Sequence, residues 1–148
     1  MENVRCITQT YFDGYRHHFR GPYTIEIREG LITEIQPGER TSQFSDPDEV
    51  RTLRTEFVMP GLVEAHSHLF LDGGELDFKK RSAYLKVADR ETMLSTARNS
   101  IQDTLAAGIT LIRDAGDIHG INIAIRAEYE NKPGPDLRIA GRALRKAG

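Results

Sequence analysis

The stretch FVMPGLVEAHSHLF, residues 57–70, decides how the rest of the chain is interpreted. A Pro-Gly pair divides two apolar runs, and the second run predicts a short strand buried in a sheet. Two histidines in such a strand, His66 and His68, are unexpected because a buried imidazole needs a partner. Side chains two residues apart on a strand project from the same face, so the two rings are expected to lie side by side and Ser67 to point away.

Two explanations fit this histidine pair. Imidazole nitrogens on one face of a strand can bind a single cation, with Zn–N bonds of about 2.0–2.1 Å. Alternatively, each ring is hydrogen-bonded to nearby backbone groups, which the spacing alone does not exclude. The strand context, the preceding Pro60-Gly61 and the polar loop that follows favour the metal interpretation. The histidines come at the end of their strand, and active sites of parallel barrels lie at the carboxyl ends of the strands.

Residues 1 to 57 predict short strands and turns. NVRCITQTYFDG, residues 3–14, is rich in β-branched and aromatic residues and stops at an Asp-Gly turn. YTIEIREGLITEIQPG, residues 23–38, alternates and predicts a hairpin that turns at Glu29-Gly30. The polar run at 39–51 predicts a loop, and TLRTEFVMPG, residues 52–61, predicts another short strand.

Residues 58 to 148 show a different pattern, in which predicted strands alternate with predicted helices. After the histidine strand, residues 72 to 88 predict a polar loop. A helix is predicted over 90–107, with Asp89 as its N-cap and Gly108 after its end. Its apolar face comprises Leu94, Ala97, Ile101 and Leu105. A buried strand at 109–116, a second helix within 118–131 and a strand at 137–141 follow.

This alternation of strands and helices predicts an α/β fold with a parallel sheet. A complete eight-stranded α/β barrel takes about 250 residues, and three parallel strands cannot close one. The chain is therefore expected to be a piece of something larger.

Composition narrows the classes of function. The 148-residue chain has a formal net charge of -2, which gives no reason to expect nucleic acid or an anionic membrane as a partner. No apolar run approaches the roughly 20 residues that span a bilayer. The single cysteine, Cys6, excludes an intrachain disulfide and a cysteine metal cluster and is expected to be a buried small hydrophobe. A cytoplasmic protein is the expectation.

Four segments of the chain resemble the metal-dependent amidohydrolase superfamily. VMPGLVEAHSHL, residues 58–69, resembles the signature of the first barrel strand, and residues 23–38 resemble paired strands of the family's small β-sandwich domain. AAGITLIRDAGD, residues 106–117, resembles the second barrel strand. KPGPDLRIAGRAL, residues 132–144, resembles the approach to the third strand, most closely in the branch with imidazolonepropionases and prolidase-like dipeptidases.

The resemblance implies a fold and a chemistry. Residues 1-57 would be part of the β-sandwich domain, and residues 58-148 the first β/α units of an incomplete TIM-like barrel. His66 and His68 would be metal ligands, with zinc the commonest metal and one or two ions in the complete site. The family hydrolyses C–N bonds of a small-molecule substrate (an amide, a dipeptide or a cyclic amide) with a metal-activated water.

The other family ligands lie on later barrel strands, so two histidines alone leave a catalytic zinc short of the usual three protein ligands. A second chain or a missing C-terminal half would complete the barrel. The alternatives are a non-catalytic scaffold or binding module, and an inactive truncation of the family.

Five further residues have weaker signals. His17 and His18 predict a surface loop. His119 either approaches the site or begins a helix. Arg113 and Asp114 end the second parallel strand, where they either orient a ligand histidine or form a structural pair. The segment LDGGELDFKKRSAY, residues 71–84, either covers a substrate or is a solvated loop.

Overall fold

The computed structural model describes residues 3–40, 50–117 and 119–142. The chain divides into two compact units, Met1–Pro60 and Gly61–Gly148. The sequence predicted the division between residues 57 and 58, which lies within the last two residues of the strand Val50–Val58. Most of the predicted loop at 39–51 lies outside the described residues.

The N-terminal unit is a mixed sheet built around β1, Asn3–Phe12. Its other described strands are β2 (His17–His18), β3 (Tyr23–Arg28), β4 (Leu31–Pro37) and β5 (Val50–Val58). β1 pairs antiparallel with β2 and β3, and β3 pairs antiparallel with β4. β5 pairs parallel with β1, a long-range pairing that local sequence patterns do not indicate.

The predicted hairpin is confirmed as β3–β4. Glu29 and Gly30 both have positive φ, 52° and 80°, the conformation of a two-residue turn that matches the twist of the flanking strands. Cys6 is aligned with Ile25 on β3, and both are buried, so the alternation of this hairpin places one row of apolar side chains on the same face. Burial raises the pKa of the Cys6 thiol, as expected for a cysteine that acts as a small hydrophobe.

The C-terminal unit contains the predicted parallel sheet. β6 (Leu62–Ser67), β7 (Ile109–Asp114) and β8 (Asp136–Ile139) pair in that order, all parallel. Two of the unit's helices, α2 (Arg90–Ala106) and α3 (Ile121–Glu128), follow β6 and β7 in the chain. The observed class is therefore α/β, as predicted, while closure into a barrel and a β-sandwich remain expectations.

Helix α2 forms where the sequence predicts it. The Asp89 carboxylate accepts a hydrogen bond from the Thr92 backbone N–H at 2.8 Å, which caps the helix and lowers the pKa of Asp89. Leu94, Ala97 and Ile101 are buried on the predicted face. They belong to one core that also contains Leu69, Phe70, Met93, Ile112, Ile121, Ile125 and Leu137. The core lies between the helices and the sheet. It includes Leu69 and Phe70, so the start of the loop after β6 also packs against the helices and the sheet.

The prediction of a loop over 72–88 is wrong in its second half. Residues Phe78–Val87 form helix α1, capped by Asp77, whose carboxylate accepts from the backbone N–H groups of Lys79 and Lys80 at 2.7 and 3.2 Å. No residue of α1 is buried. The segment therefore has no strong apolar periodicity, the signal that would have identified a helix from the sequence.

The glycine before β6 is required by close packing. A Cβ added at Gly61 would lie 1.9 Å from the Thr110 hydroxyl oxygen. At the same point, Leu62 N–H donates to the Gly108 carbonyl at 2.9 Å, which brings the start of β6 against the turn that follows α2. Gly61 of the opening stretch thus allows the histidine strand to begin in close contact with β7.

Candidate functional site

The rings of His66 and His68 lie side by side at the end of β6. Their centres are 5.4 Å apart and their planes are inclined by 77°. His66 is the second-to-last residue of β6, which ends at Ser67, and His68 is the first residue after the strand. The strand periodicity therefore predicted their common side. Two imidazoles bound to one tetrahedral cation through Zn–N bonds of about 2.0–2.1 Å have ring centres roughly 5 Å apart, so the separation fits a shared cation.

One nitrogen of His68 is committed to the backbone. Nδ1 lies 2.9 Å from the Gly116 carbonyl oxygen. A carbonyl oxygen can only accept, so Nδ1 carries the hydrogen and Nε2 of the neutral ring keeps its lone pair. Metal-binding histidines commonly donate their other ring N–H to a backbone carbonyl in this way. The two explanations offered by the sequence are therefore compatible for His68.

Asp114 holds the backbone on both sides of this hydrogen bond. Its carboxylate is buried and accepts from Leu69 N–H at 2.9 Å and from Gly116 N–H at 2.8 Å. Leu69 directly follows His68, and Gly116 supplies the carbonyl that the His68 ring contacts. Asp114 thus positions His68 through the backbone, whereas Arg113 donates to the Ala65 carbonyl at 3.3 Å.

Asn122 completes this buried polar group, and the sequence interpretation missed it. Its side-chain amide donates to Asp114 Oδ1 and to the Gly141 carbonyl, both at 3.0 Å. Asn122 is 1% exposed. An asparagine on the apolar face of a helix, within INIAI at 121–125, was the available signal, because a buried amide requires specific partners.

Asp117 fixes the loop between β7 and α3. Its buried carboxylate accepts from the backbone N–H groups of His119, Ile121 and Asn122 at 2.5, 3.1 and 2.9 Å, which caps α3. His119 lies in this loop, before the first residue of the helix. Its ring centre is 6.4 Å from that of Phe70. His119 therefore lies in the loop after β7, two residues before the helix begins, with its ring beside that of Phe70.

In the described part of the chain, two cavities adjoin the histidines. One, of about 660 Å³, is lined by both rings, by the loop at 71–74 and by polar residues of α2. The other, of about 320 Å³, is lined by His68, His119 and apolar side chains. The residues that follow β6 therefore face the space beside the histidines, which agrees with a role in covering a ligand.

His17 and His18 belong to β2 in the N-terminal unit and not to a loop. His18 stacks on the Tyr11 ring, with centres 4.3 Å apart, and its Nε2 lies 2.8 Å from the Asp13 carboxylate. His17 contacts the Phe57 ring edge-to-face with centres 5.5 Å apart. The Tyr11–His18 ring stack forms because the antiparallel register of β1 and β2 places these two residues opposite each other.

The described residues do not by themselves form a complete set of metal ligands. Among them, no group of three or more His, Cys, Asp or Glu side chains is placed to hold a metal ion. His66 and His68 would therefore contribute two nitrogen ligands, one fewer than the three protein ligands usual in a catalytic zinc site. A third ligand to such a cation would have to come from outside the described part of the chain. In addition, none of the described helices is long and apolar enough to cross a membrane.

Comparison with known proteins gives matches in structure but not in sequence. No family model matches the chain, and no curated protein sequence matches it. A Xaa-Pro dipeptidase with methionine bound in its active site superposes with a TM-score of 0.75 at 21% identity, over 97% of this chain and 34% of the dipeptidase. An amidohydrolase gives 0.72 at 22% identity, over 96% and 32% of the two chains. Molinate hydrolase gives 0.70 at 20% identity, over 97% and 30%.

At these identities, the similarity establishes a shared fold. The sequence resemblance to the amidohydrolase superfamily is thus accompanied by a likeness in fold to a Xaa-Pro dipeptidase and an amidohydrolase. The chain spans about a third of the length of these solved structures.

Proposed function

We propose that this chain is the N-terminal portion of a metal-dependent hydrolase that cleaves a C–N bond in a small-molecule amide, dipeptide or cyclic amide. His66 and His68 bind a divalent cation, which we propose to be zinc, through ring nitrogens. The complete site holds one or two ions, and its remaining ligands come from a second chain or from a C-terminal half. That part also closes the TIM-like barrel that β6, β7 and β8 begin and completes the β-sandwich.

The observation that carries this proposal is the state of the His68 ring. Its Nδ1–H is donated to the Gly116 carbonyl, so its Nε2 lone pair is available next to the His66 ring, whose centre is 5.4 Å away. The buried Asp114 carboxylate holds both flanking backbone segments. A ligand held in one tautomer and one orientation loses less entropy when the cation binds.

The chemistry follows from the ligand type. A divalent cation at such a site lowers the pKa of a bound water to about 7 and polarises a substrate carbonyl. The chain's own contribution is to orient the two imidazoles and to keep His68 Nδ1 protonated. The carboxyl ends of β6 and β7, where these groups lie, are where α/β barrels place their reacting groups. The amide and dipeptide class is also supported by the names of the structural neighbours.

Exposed apolar surface supports a partner that completes the fold. Leu62 and Val63 on β6 are 47% and 59% exposed. β6 is an end strand of the described sheet, with β7 on one side. An apolar edge strand of this kind is a template for pairing with another strand. The final strand of a closed barrel would occupy that edge.

The test is zinc binding by the purified chain, measured by calorimetry in competition with a weak chelator. We expect about one ion per chain, and we expect the double variant His66→Ala/His68→Ala to lose it. The matched control is His17→Ala/His18→Ala, which removes two adjacent histidines from the N-terminal unit and should leave zinc binding unchanged. A folded chain that binds no zinc would refute the catalytic proposal and leave a non-catalytic scaffold or an inactive truncation.

A further inference from the structure

We infer that the smaller cavity beside His68 is a specificity pocket that accepts an uncharged apolar or aromatic group of the substrate. This inference rests on the proposed function, because it places the group next to the reacting amide. The cavity has a volume of about 320 Å³, at the lower end of the roughly 300–1,000 Å³ typical of ligand pockets.

Three segments of the C-terminal unit form its walls. The loop after β6 contributes His68, Phe70 and Leu71, helix α1 contributes Leu85, and the loop after β7 contributes His119. The first two segments are tied together, since the Tyr84 hydroxyl donates to the Phe70 carbonyl at 3.4 Å. Helix α1, which the sequence did not predict, therefore builds one wall of the pocket.

The aromatic wall is held in place by the core. Phe70 is buried with the residues that pack between helices and sheet. Its ring is edge-to-face with that of His68, with centres 6.2 Å apart, and inclined by 62° to that of His119. An aromatic or branched aliphatic group placed among these rings gains apolar burial and favourable edge contacts.

The polar groups of the pocket have their partners elsewhere. The Gly116 carbonyl accepts the His68 Nδ1–H, and the Asp117 carboxylate accepts three backbone N–H groups of the α3 cap. A negatively charged substituent would lose its hydration and would face the Asp117 carboxylate, which has the same charge, so its entry is costly. The pocket therefore discriminates against negatively charged groups and in favour of apolar ones.

The position of the pocket defines which part of a substrate enters it. His68 belongs both to the proposed cation site and to the pocket wall, so a group in the pocket lies next to an amide held at the histidines. The substrate class we infer is an amide or dipeptide whose apolar side chain adjoins the scissile bond.

The experiment uses N-acetyl-4-fluorophenylalanine amide as the probe, observed by ¹⁹F NMR in the presence of a metal chelator. We expect saturable binding to the full chain, competition by N-acetylleucine amide and no competition by N-acetylaspartic acid amide. Leu85→Lys should weaken binding by about tenfold or more, because a single apolar group in a pocket is worth about 10- to 200-fold. Leu85→Met, which keeps the wall apolar, should retain it.

The matched control is Val87→Lys, a substitution of another exposed apolar residue of α1 that is not a wall of the pocket. Val87 is 83% exposed, and its substitution should leave the probe's dissociation constant unchanged. Absence of saturable binding, equal competition by the aspartic acid amide, or equal effects of the two lysine variants would each overturn the inference. The probe assay contains no metal, so it tests the pocket independently of zinc binding. A chain that binds the probe but does not bind zinc in the calorimetric titration would refute the proposed function alone.

Discussion

Replacing Asp114 by asparagine should destabilise the C-terminal unit by about 2–4 kcal/mol. Asp114 Oδ1 accepts from Gly116 N–H and the Asn122 amide, and Oδ2 accepts from Leu69 N–H, all within 3.0 Å. An asparagine keeps one oxygen, so its NH₂ group must face at least one donor. An unsatisfied buried donor costs about 1–3 kcal/mol, and the two remaining bonds lose their charge assistance. Removing a buried charge offsets part of this cost.

The assay is urea unfolding followed through the backbone amide NMR signals of β7, which report on this unit alone. The control is Asp136→Asn on β8, which removes an exposed carboxylate that pairs with Arg138 at 2.7 Å. Exposed pairs contribute about 0–1 kcal/mol, so the control should change stability little. A change below about 0.5 kcal/mol for Asp114→Asn would refute the assignment of Asp114 as the acceptor that organises the site.

Two further predictions concern a helix cap and an ion pair. Asp77→Ala removes the acceptor for the N–H groups of Lys79 and Lys80, and should cost about 1 kcal/mol. Since α1 has no buried residue, the loss should appear as faster amide hydrogen exchange confined to α1. The pKa of Asp13 is lowered to about 2, first by its hydrogen bond to His18. Its contribution to stability should be complete above about pH 4 and lost as the pH falls through about 2.

Each of these two predictions would be contradicted by a specific result. Unchanged exchange in α1 for Asp77→Ala would mean that the cap does not hold the helix. For the ion pair, the ¹³C carboxyl signal of Asp13 gives the titration directly. Its midpoint should move upward in His18→Ala, and an unshifted midpoint would show that the neighbouring backbone N–H groups of Tyr15 and Arg16 account for the lowered pKa.

Local signals made most of the secondary structure predictable. Helix α2 has an N-cap aspartate, an apolar face and a following glycine, and each of these acts within a few residues of chain. The β3–β4 hairpin has alternation and a two-residue turn, and it also forms where expected. Helix α1 was not predictable in the same way, because a helix without a buried face leaves no periodic pattern in the sequence.

The sequence by itself determined that His66 and His68 share one side, because a strand has a period of two residues and needs no tertiary contact to set it. It also determined the α/β class, since strands that alternate with helices pair in parallel. The environment of the histidines was decided only in the tertiary structure. His68 meets Gly116 across 48 residues of sequence, and Leu69 meets Asp114 across 45. No local pattern specifies such pairs, because they form only when the sheet brings the carboxyl ends of β6 and β7 together.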